Sequence, residues 1–152
     1  LVTMTSGADA LIGEVDGLGF QDVHEALTRV SDAAFPAFSL SLHGVGFFPP
    51  RGAPRSLWAG VSESEPLLRL QQTVDRRLVE AGREPEHRKY KPHVTVARLD
   101  GTPASRVGSW LGEHGLFRTE PFTVDAFHLW SSDLGPRAAH YTLEETYPLT
   151  LP

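Results

Sequence analysis

The sequence predicts an α+β fold in which two lobes of antiparallel sheet carry flanking helices. Apolar residues recur at helical spacing in some segments and alternate with polar residues in others, and turns rich in glycine and proline separate the two kinds of segment. The 152 residues suffice for one sizeable core and are few for two. We therefore expect a single domain over residues 1–152.

Three segments are predicted to be helices. The first covers residues 20–30 and the third covers residues 105–114, where Gly115 stops it. The second begins at a capping box that Ser62 forms with Glu65, has Pro66 in its first turn and ends before Gly82. Its apolar face is formed by Leu67, Leu70, Val74, Leu78 and Val79.

The alternation of apolar with polar residues predicts the strands. Residues 38–43 read as one strand with a buried face, and residues 94–99 as another. Residues 122–130 are expected to pair with residues 140–146 across a loop that contains Gly135 and Pro136. Strands separated by helices and closed by hairpins suit a two-lobed antiparallel fold.

The most informative segment is residues 92–98, which places His93 and Thr95 two positions apart in a predicted strand. Side chains at that spacing share a face, so both are expected to project together while Val94 and Val96 are buried on the other side. An imidazole exchanges a proton near pH 7, and a hydroxyl with the cations Lys91 and Arg98 can bind phosphate oxygens. The alternative is a histidine that only fills a strand position.

The surroundings of this segment resemble a known family. Residues 92–98 resemble the second His-x-Thr-x motif of the 2H phosphoesterase superfamily, in particular its 2′-5′ RNA ligase branch, whose members act as RNA 2′,3′-cyclic phosphodiesterases. Residues 40–50 resemble that branch's strand and Gly-x-Gly-x-Phe-Pro turn, and residues 54–61 its next strand. Residues 127–132 and 141–149 resemble its closing hairpin. The likeness runs from Leu11 to Leu149, and it implies that the two lobes of antiparallel sheet are pseudo-symmetric.

One departure concerns the first His-x-Thr motif, which in the family precedes a Gly-Glu pair that corresponds here to residues 13–14. Counting back places Ser6 and Ala8 at the motif positions, and an alternative register places Leu1 and Thr3 there. Neither register supplies a histidine. The family's opening strand and first helix have no counterpart before Leu1, so the resemblance implies a single domain that lacks them.

The resemblance implies metal-independent and ATP-independent chemistry at an RNA terminus. His93 would be the general base and Thr95 the phosphate ligand, with Arg98 steadying the strand or the substrate. The expected reaction is hydrolysis of RNA 2′,3′-cyclic phosphate ends to 2′-phosphates, with 2′-5′ ligation as its reverse. Two alternatives remain open: a noncatalytic relative that binds RNA ends or nucleotides, and a fragment that borrows a strand from a second copy.

The loop before the motif, residues 83–91, is rich in cations. Lys91 is expected beside a terminal phosphate, and Tyr90 offers a ring on which a base can stack. The alternative is an ordinary exposed loop. Arg51 and Arg55, in a proline-rich loop, are expected either to rim a cleft or to be solvated.

The remaining histidines have weaker assignments. His43 is expected at the surface, and His24 and His114 are expected to be solvated on their helices. His128 and His140 lie on the closing strands, where either is a candidate substitute for the missing first-motif histidine.

Composition excludes several classes of site. The chain has no cysteine, which removes disulfides and thiolate metal sites and favours a cytoplasmic location. Its net charge of −5 argues against broad binding to a nucleic-acid backbone. No apolar run is long enough to span a membrane, and no signal peptide is visible.

Motifs for other chemistries are absent as well. The sequence lacks a phosphate-binding Gly-x-x-x-x-Gly-Lys loop, a His-Glu-x-x-His motif and a Gly-x-Ser-x-Gly elbow. We expect no cofactor and no metal site. The expected partners are RNA termini or nucleoside 2′,3′-cyclic phosphates, without membrane contact, for a chain that works as a monomer, with a dimer as the alternative.

Overall fold

A computed structural model describes residues 2–4, 10–13, 15, 17–137 and 139–151. These residues form a mixed structure of helices and antiparallel sheets, as the sequence predicts. No helix among them is both long and apolar enough to cross a membrane. The elements are β1 (Val2–Met4), β2 (Ala10–Gly13), α1 (Phe20–Asp32), β3 (Phe38–Leu40), β4 (Leu42–Phe48), β5 (Ser56–Val61), α2 (Glu65–Glu80), β6 (His93–Arg98), α3 (Ala104–His114), β7 (Phe122–Val124), β8 (Ala126–Leu134) and β9 (Ala139–Pro148).

The strands form three antiparallel sheets. A four-stranded sheet has the order β2-β1-β8-β9, a three-stranded sheet has the order β4-β5-β6, and β3 pairs with β7. The predicted closing hairpin is present as β8 and β9. The two larger sheets meet where β2 contacts β6.

Two predicted strands are each divided between two sheets. Ser41 separates β3 from β4, and Asp125 separates β7 from β8. The predictions of one strand over residues 38–43 and one over 122–130 are therefore wrong in the same way. The apolar alternation continues through each break, so it does not reveal that the chain changes its pairing partner. Backbone bonds hold both corners, from Ser62 N–H to the Ser41 carbonyl and from Leu149 N–H to the Asp125 carbonyl.

The three helices form where their apolar spacing predicts them. α1 and α2 pack against each other, and α1 also contacts β9. Their buried faces join side chains of β8 and β9, and Val61 and Val94 of the three-stranded sheet pack against the same core. The fully buried large side chains are Leu27, Val30, Leu67, Leu70, Val74, Leu78, Val124 and Phe127.

The start of α2 differs from its prediction. Ser64 is the N-cap, and its Oγ accepts a hydrogen bond from the Leu67 N–H at 3.2 Å. Ser62 Oγ instead accepts a hydrogen bond from the Ser41 hydroxyl at 3.1 Å, so the predicted capping box of Ser62 with Glu65 is wrong. Both serines precede the apolar run, and only the sheet contact of Ser62 decides which of them is free to cap the helix. Pro66 lies in the first turn as predicted.

Candidate active site

The three-stranded sheet places His93 and Thr95 on one face. On β5, Trp58 lies opposite Thr95 and Gly60 lies opposite His93. Because directly paired residues project to the same side, these positions form one surface. The opposite face of β5 carries Leu57 and is buried. The predicted common face of His93 and Thr95 is therefore present.

A β-bulge at Val96 changes the face of the residues that follow. Thr95 pairs with Trp58 and Ala97 pairs with Leu57, so Val96 has no partner on β5. Arg98 consequently lies opposite Ser56, on the His93 face, where a regular strand would have put Ala97.

The bulge also overturns part of the burial prediction. Val94 is half-buried and packs against the core, but Val96 is 53% exposed. The prediction that both valines are buried is wrong because Val96 occupies the unpaired position of the bulge. Sequence alternation alone treats the strand as regular and cannot reveal this.

The imidazole of His93 has a defined orientation. Its Nδ1 lies 2.6 Å from the carbonyl oxygen of Lys91. A carbonyl only accepts hydrogen bonds, so Nδ1 carries the proton of the neutral ring. The Nε2 atom is then unprotonated and able to accept a proton. A histidine held in this tautomer suits a general base.

Two aromatic rings flank His93. The Phe48 ring meets the imidazole edge to face, with centroids 5.0 Å apart, and the Trp58 centroid is 6.2 Å away. Phe48 and Trp58 also contact each other, at 5.4 Å. Lys91 extends over both rings, with Nζ 5.5 Å from the Phe48 centroid and 5.3 Å from that of Trp58. We call Phe48, Trp58, Lys91 and His93 the aromatic cluster.

Sequence reasoning did not assign Phe48 and Trp58 to the site. The sequence does contain a signal for Trp58, which is the one aromatic residue among the small and aliphatic residues 56–61. Trp58 is two positions from Gly60, the residue that pairs with His93, so both lie on the His93 face of the sheet. Gly46 lies opposite Trp58 on β4, which leaves room for the indole. The signal becomes informative only once the pairing of β5 with β6 is known.

The cations of β6 and of the loop before it differ in whether they pair with a carboxylate. Lys91 and Arg98 are both exposed, and neither forms an ion pair with a carboxylate in the described part of the chain. Arg88 instead holds Glu86 through two guanidinium contacts, at 3.1 and 2.8 Å. These contacts, with the Arg88 N–H, lower the pKa of Glu86 to about 2.

Tyr90, predicted as a base-stacking ring, is half-buried and packs against the core. Burial raises the pKa of its phenol. The rings in contact with His93 include those of Phe48 and Trp58.

The first-motif positions Leu1, Ser6 and Ala8 lie outside the described residues. The backbone of Thr3 lies in β1, where it pairs with His128. His128 is buried in the four-stranded sheet, and its Nδ1 lies 2.9 Å from the Thr146 hydroxyl.

Four of the other histidines are exposed, namely His43, His87, His114 and His140. The surface positions predicted for His43 and His114 are confirmed. The prediction that His24 is solvated is wrong, because it is half-buried and its Nδ1 lies 2.9 Å from the Tyr147 hydroxyl. α1 packs on β9, a long-range contact that helical spacing does not reveal.

The arrangement joins a group that can accept a proton to groups that can bind an anion. His93, Thr95 and Arg98 lie on one face of the sheet, and Lys91 Nζ lies over the neighbouring Phe48 and Trp58 rings. Such a set can deprotonate a nucleophile and stabilise charge that develops on phosphate oxygens. Within the described ranges no three metal-binding side chains cluster.

The chain matches the family model described as the 2′-5′ RNA ligase superfamily over residues 10–136. It is 32% identical over 132 residues to a Thermotoga maritima protein named RNA 2′,3′-cyclic phosphodiesterase, covering 86% of this chain and 67% of the relative. It is also 32% identical over 127 residues to a protein of the same name from Methanothermobacter thermautotrophicus, covering 82% and 68%. The chain thus spans about two thirds of the length of these relatives.

Solved structures share the fold. The crystal structure of TT0787 of Thermus thermophilus matches with a TM-score of 0.72 at 24% identity, covering 97% of this chain and 82% of that one. The crystal structure of E. coli LigT complexed with 3′-AMP matches with a TM-score of 0.69 at 16% identity, covering 95% and 78%. The chain belongs to the 2′-5′ RNA ligase superfamily, a family of 2H phosphoesterases.

Proposed function

We propose that this chain hydrolyses the 2′,3′-cyclic phosphate ends of RNA to 2′-phosphates, without a metal ion or ATP. The observation that carries the proposal is the 2.6 Å contact from His93 Nδ1 to the Lys91 carbonyl, which makes Nε2 the proton acceptor on the face shared with Thr95 and Arg98. The names of relatives at 32% identity support the choice of substrate.

In this mechanism His93 acts as the general base. Its Nε2 takes a proton from water as the water oxygen attacks the cyclic phosphorus. The bond from phosphorus to the ribose 3′ oxygen breaks, and that oxygen takes a proton from a second group. The 2′ ester bond stays intact, so the product is a 2′-phosphate. The Lys91 carbonyl stabilises the imidazolium that forms, because Nδ1 keeps its hydrogen bond throughout.

The phosphate is held by groups that surround His93. The Thr95 hydroxyl donates to one oxygen, and Arg98 and Lys91 offset the negative charge. Tyr90 remains the predicted base contact of the preceding loop. Ligation, which joins a cyclic phosphate to a 5′ hydroxyl, uses the same groups with the 5′ hydroxyl in place of water. His93 Nε2 takes the proton of that hydroxyl, a bond forms from its oxygen to phosphorus, and the 3′ oxygen leaves with a proton from the second group. A cytoplasmic location belongs to the proposal and is supported by the absence of cysteine.

A second candidate function is binding of RNA ends without turnover. It is favoured by the first motif, where neither Ser6 nor Leu1 supplies the histidine that would protonate the leaving oxygen. Loss of a general acid lowers a rate by about 10²-fold to 10⁴-fold. Such a chain would still present Thr95, Arg98 and Lys91 to a phosphate.

The test is hydrolysis of adenosine 2′,3′-cyclic phosphate in EDTA without ATP. We compare the unchanged chain with His93→Ala and with His114→Ala, which removes an exposed histidine from α3. We expect a 2′-phosphate product and a rate that falls by about 10²-fold to 10⁴-fold in His93→Ala only. Thermal unfolding of each variant shows whether it is folded.

Each outcome decides between the candidates. Equal rates in the unchanged chain and a folded His93→Ala variant would overturn the role of His93. No turnover by the unchanged chain, together with calorimetric binding of the cyclic phosphate, would replace hydrolysis with the binding function. A 3′-phosphate product would contradict the proposed bond cleavage.

A further inference from the structure

A shallow cavity of about 520 Å³ lies against the loop between β4 and β5. It is lined by residues between Phe48 and Ser56, including Arg51 and Arg55. Its size falls in the range of small-ligand sites. Its lining combines an aromatic ring, two guanidinium groups and a hydroxyl.

The cavity continues the candidate active site. Phe48 lines it and also contacts the His93 ring at 5.0 Å. Ser56 lines it and pairs with Arg98 across the sheet. Ser56 is two residues along β5 from Trp58, which lies opposite Thr95, so the cavity begins roughly 7 Å along the strand from the Thr95 position. That separation is long enough to place a second phosphate of the same RNA strand.

The charge of the loop is purely positive. Residues 49–55 contain two arginines and no acidic residue, although the whole chain has a net charge of −5. In the described part of the chain neither Arg51 nor Arg55 forms an ion pair, whereas Arg29 and Arg77 each hold a glutamate on their own helix. Both guanidinium groups are exposed and can bind an anion in two-pronged geometry.

We propose that this cavity binds the phosphate on the 5′ side of the nucleoside that carries the cyclic phosphate. This inference rests on the proposed function and names its substrate class: RNA ends with at least one further phosphate, in preference to free nucleoside 2′,3′-cyclic phosphates. The cyclic phosphate lies at His93 and Thr95, the terminal nucleoside lies against Phe48, and Arg51 with Arg55 bind the next phosphate. Positive charge concentrated at one cavity allows this within an acidic chain.

The test uses three substrates that share one reactive end. They are adenosine 2′,3′-cyclic phosphate, the same compound with a 5′-phosphate, and the dinucleotide ApA with a 2′,3′-cyclic phosphate. We measure KM and kcat for the unchanged chain, for Arg51→Gln/Arg55→Gln and for the control Arg76→Gln/Arg106→Gln. The control removes the same charge from exposed positions on α2 and α3.

We expect the unchanged chain and the control to show a KM about tenfold lower for the two substrates that carry the additional phosphate. The Arg51→Gln/Arg55→Gln variant loses that difference, while its KM and kcat for adenosine 2′,3′-cyclic phosphate stay unchanged. Raising the salt concentration reduces the preference in the unchanged chain.

Equal KM values for all three substrates in the unchanged chain would overturn the inference while leaving the proposed function intact. So would a loss of preference in the control variant, since the effect would then be one of overall charge. If no substrate is turned over, the proposed function fails, and calorimetric binding of the same three compounds tests the cavity separately. Equal affinities there would also overturn it.

Discussion

Gly46 lies directly opposite Trp58 on the neighbouring strand, and the indole of Trp58 occupies the space that a β carbon at position 46 would need. The close approach is possible only because glycine has no side chain. Trp58 in turn contacts Phe48 and His93. The absence of a β carbon at position 46 therefore determines where the rings of the aromatic cluster lie.

Gly46→Ala is therefore expected to displace the Trp58 indole. The variant should lose about 1–3 kcal/mol of unfolding free energy and lower the rate of cyclic phosphate hydrolysis, because the ring that flanks His93 moves. Unfolding and kinetics measure both effects. The control is Gly108→Ala on α3, where a β carbon meets nothing and helix propensity favours alanine. A Gly46→Ala variant with unchanged stability and rate would contradict the packing described.

The bulge at Val96 predicts a contrast between two valines. Val96→Thr should change the unfolding free energy by no more than about 0.5 kcal/mol, because this side chain is 53% exposed. Val124→Thr, at a residue 1% exposed on β7, should cost about 1–3 kcal/mol because a hydroxyl is buried. Denaturant unfolding measures both. Equal costs would mean that Val96 faces the core and that β6 is regular.

The cap of α2 gives a third prediction. Ser64→Ala should lower the unfolding free energy by about 1 kcal/mol and speed hydrogen exchange at the Leu67 amide, which loses its acceptor. Ser64→Asp should restore both, because aspartate also caps helices. Ser62→Ala should leave the Leu67 amide protected, since the Ser62 hydroxyl is hydrogen-bonded to Ser41 and not to that amide. Rapid exchange of that amide in Ser62→Ala would restore the capping box that the sequence predicted.

The pairing of Glu86 with Arg88 predicts a pH dependence in the loop before β6. Arg88 lowers the pKa of Glu86 from 4.5 to about 2. A pKa that folding depresses adds stability above about pH 4.5, and this contribution is lost as the pH falls towards 2. Carbon NMR of the Glu86 carboxyl should show the low pKa in the unchanged chain and a higher pKa in Arg88→Gln, which loses the guanidinium but keeps the backbone N–H of residue 88. The same titration in Arg69→Gln, on α2, should match the unchanged chain.

The local parts of the fold could be predicted from the sequence. The spacing of Leu67, Leu70, Val74 and Leu78 is that of one helix face, and these four residues are buried. The pairing of the strands could not be predicted in the same way. The apolar alternation runs through Ser41 without a break, although the chain changes sheets there. Which strand lies alongside is decided by contacts with residues far away in sequence.

In the candidate site, too, only the features that depend on neighbouring residues could be predicted from the sequence. His93 and Thr95 share a face because strand side chains alternate, which two positions in the sequence suffice to predict. The position of Arg98 on that face depends on the bulge at Val96, where β6 has one residue more than its partner. A bulge is a property of two paired strands and has no signature in one of them.

The sequence by itself determined the helices, the motif strand with its reactive face, and the resemblance to the family, because each depends on residues close together in the chain. Only the tertiary structure decided that Phe48 and Trp58 flank His93, that His24 contacts Tyr147, and that Phe48 also lines a cavity with Arg51 and Arg55. These relationships join segments tens of residues apart or more. They form through sheet pairing and helix packing, in which side-chain shape and burial select the partner. The periodicity of apolar residues along the chain does not indicate which partner is selected.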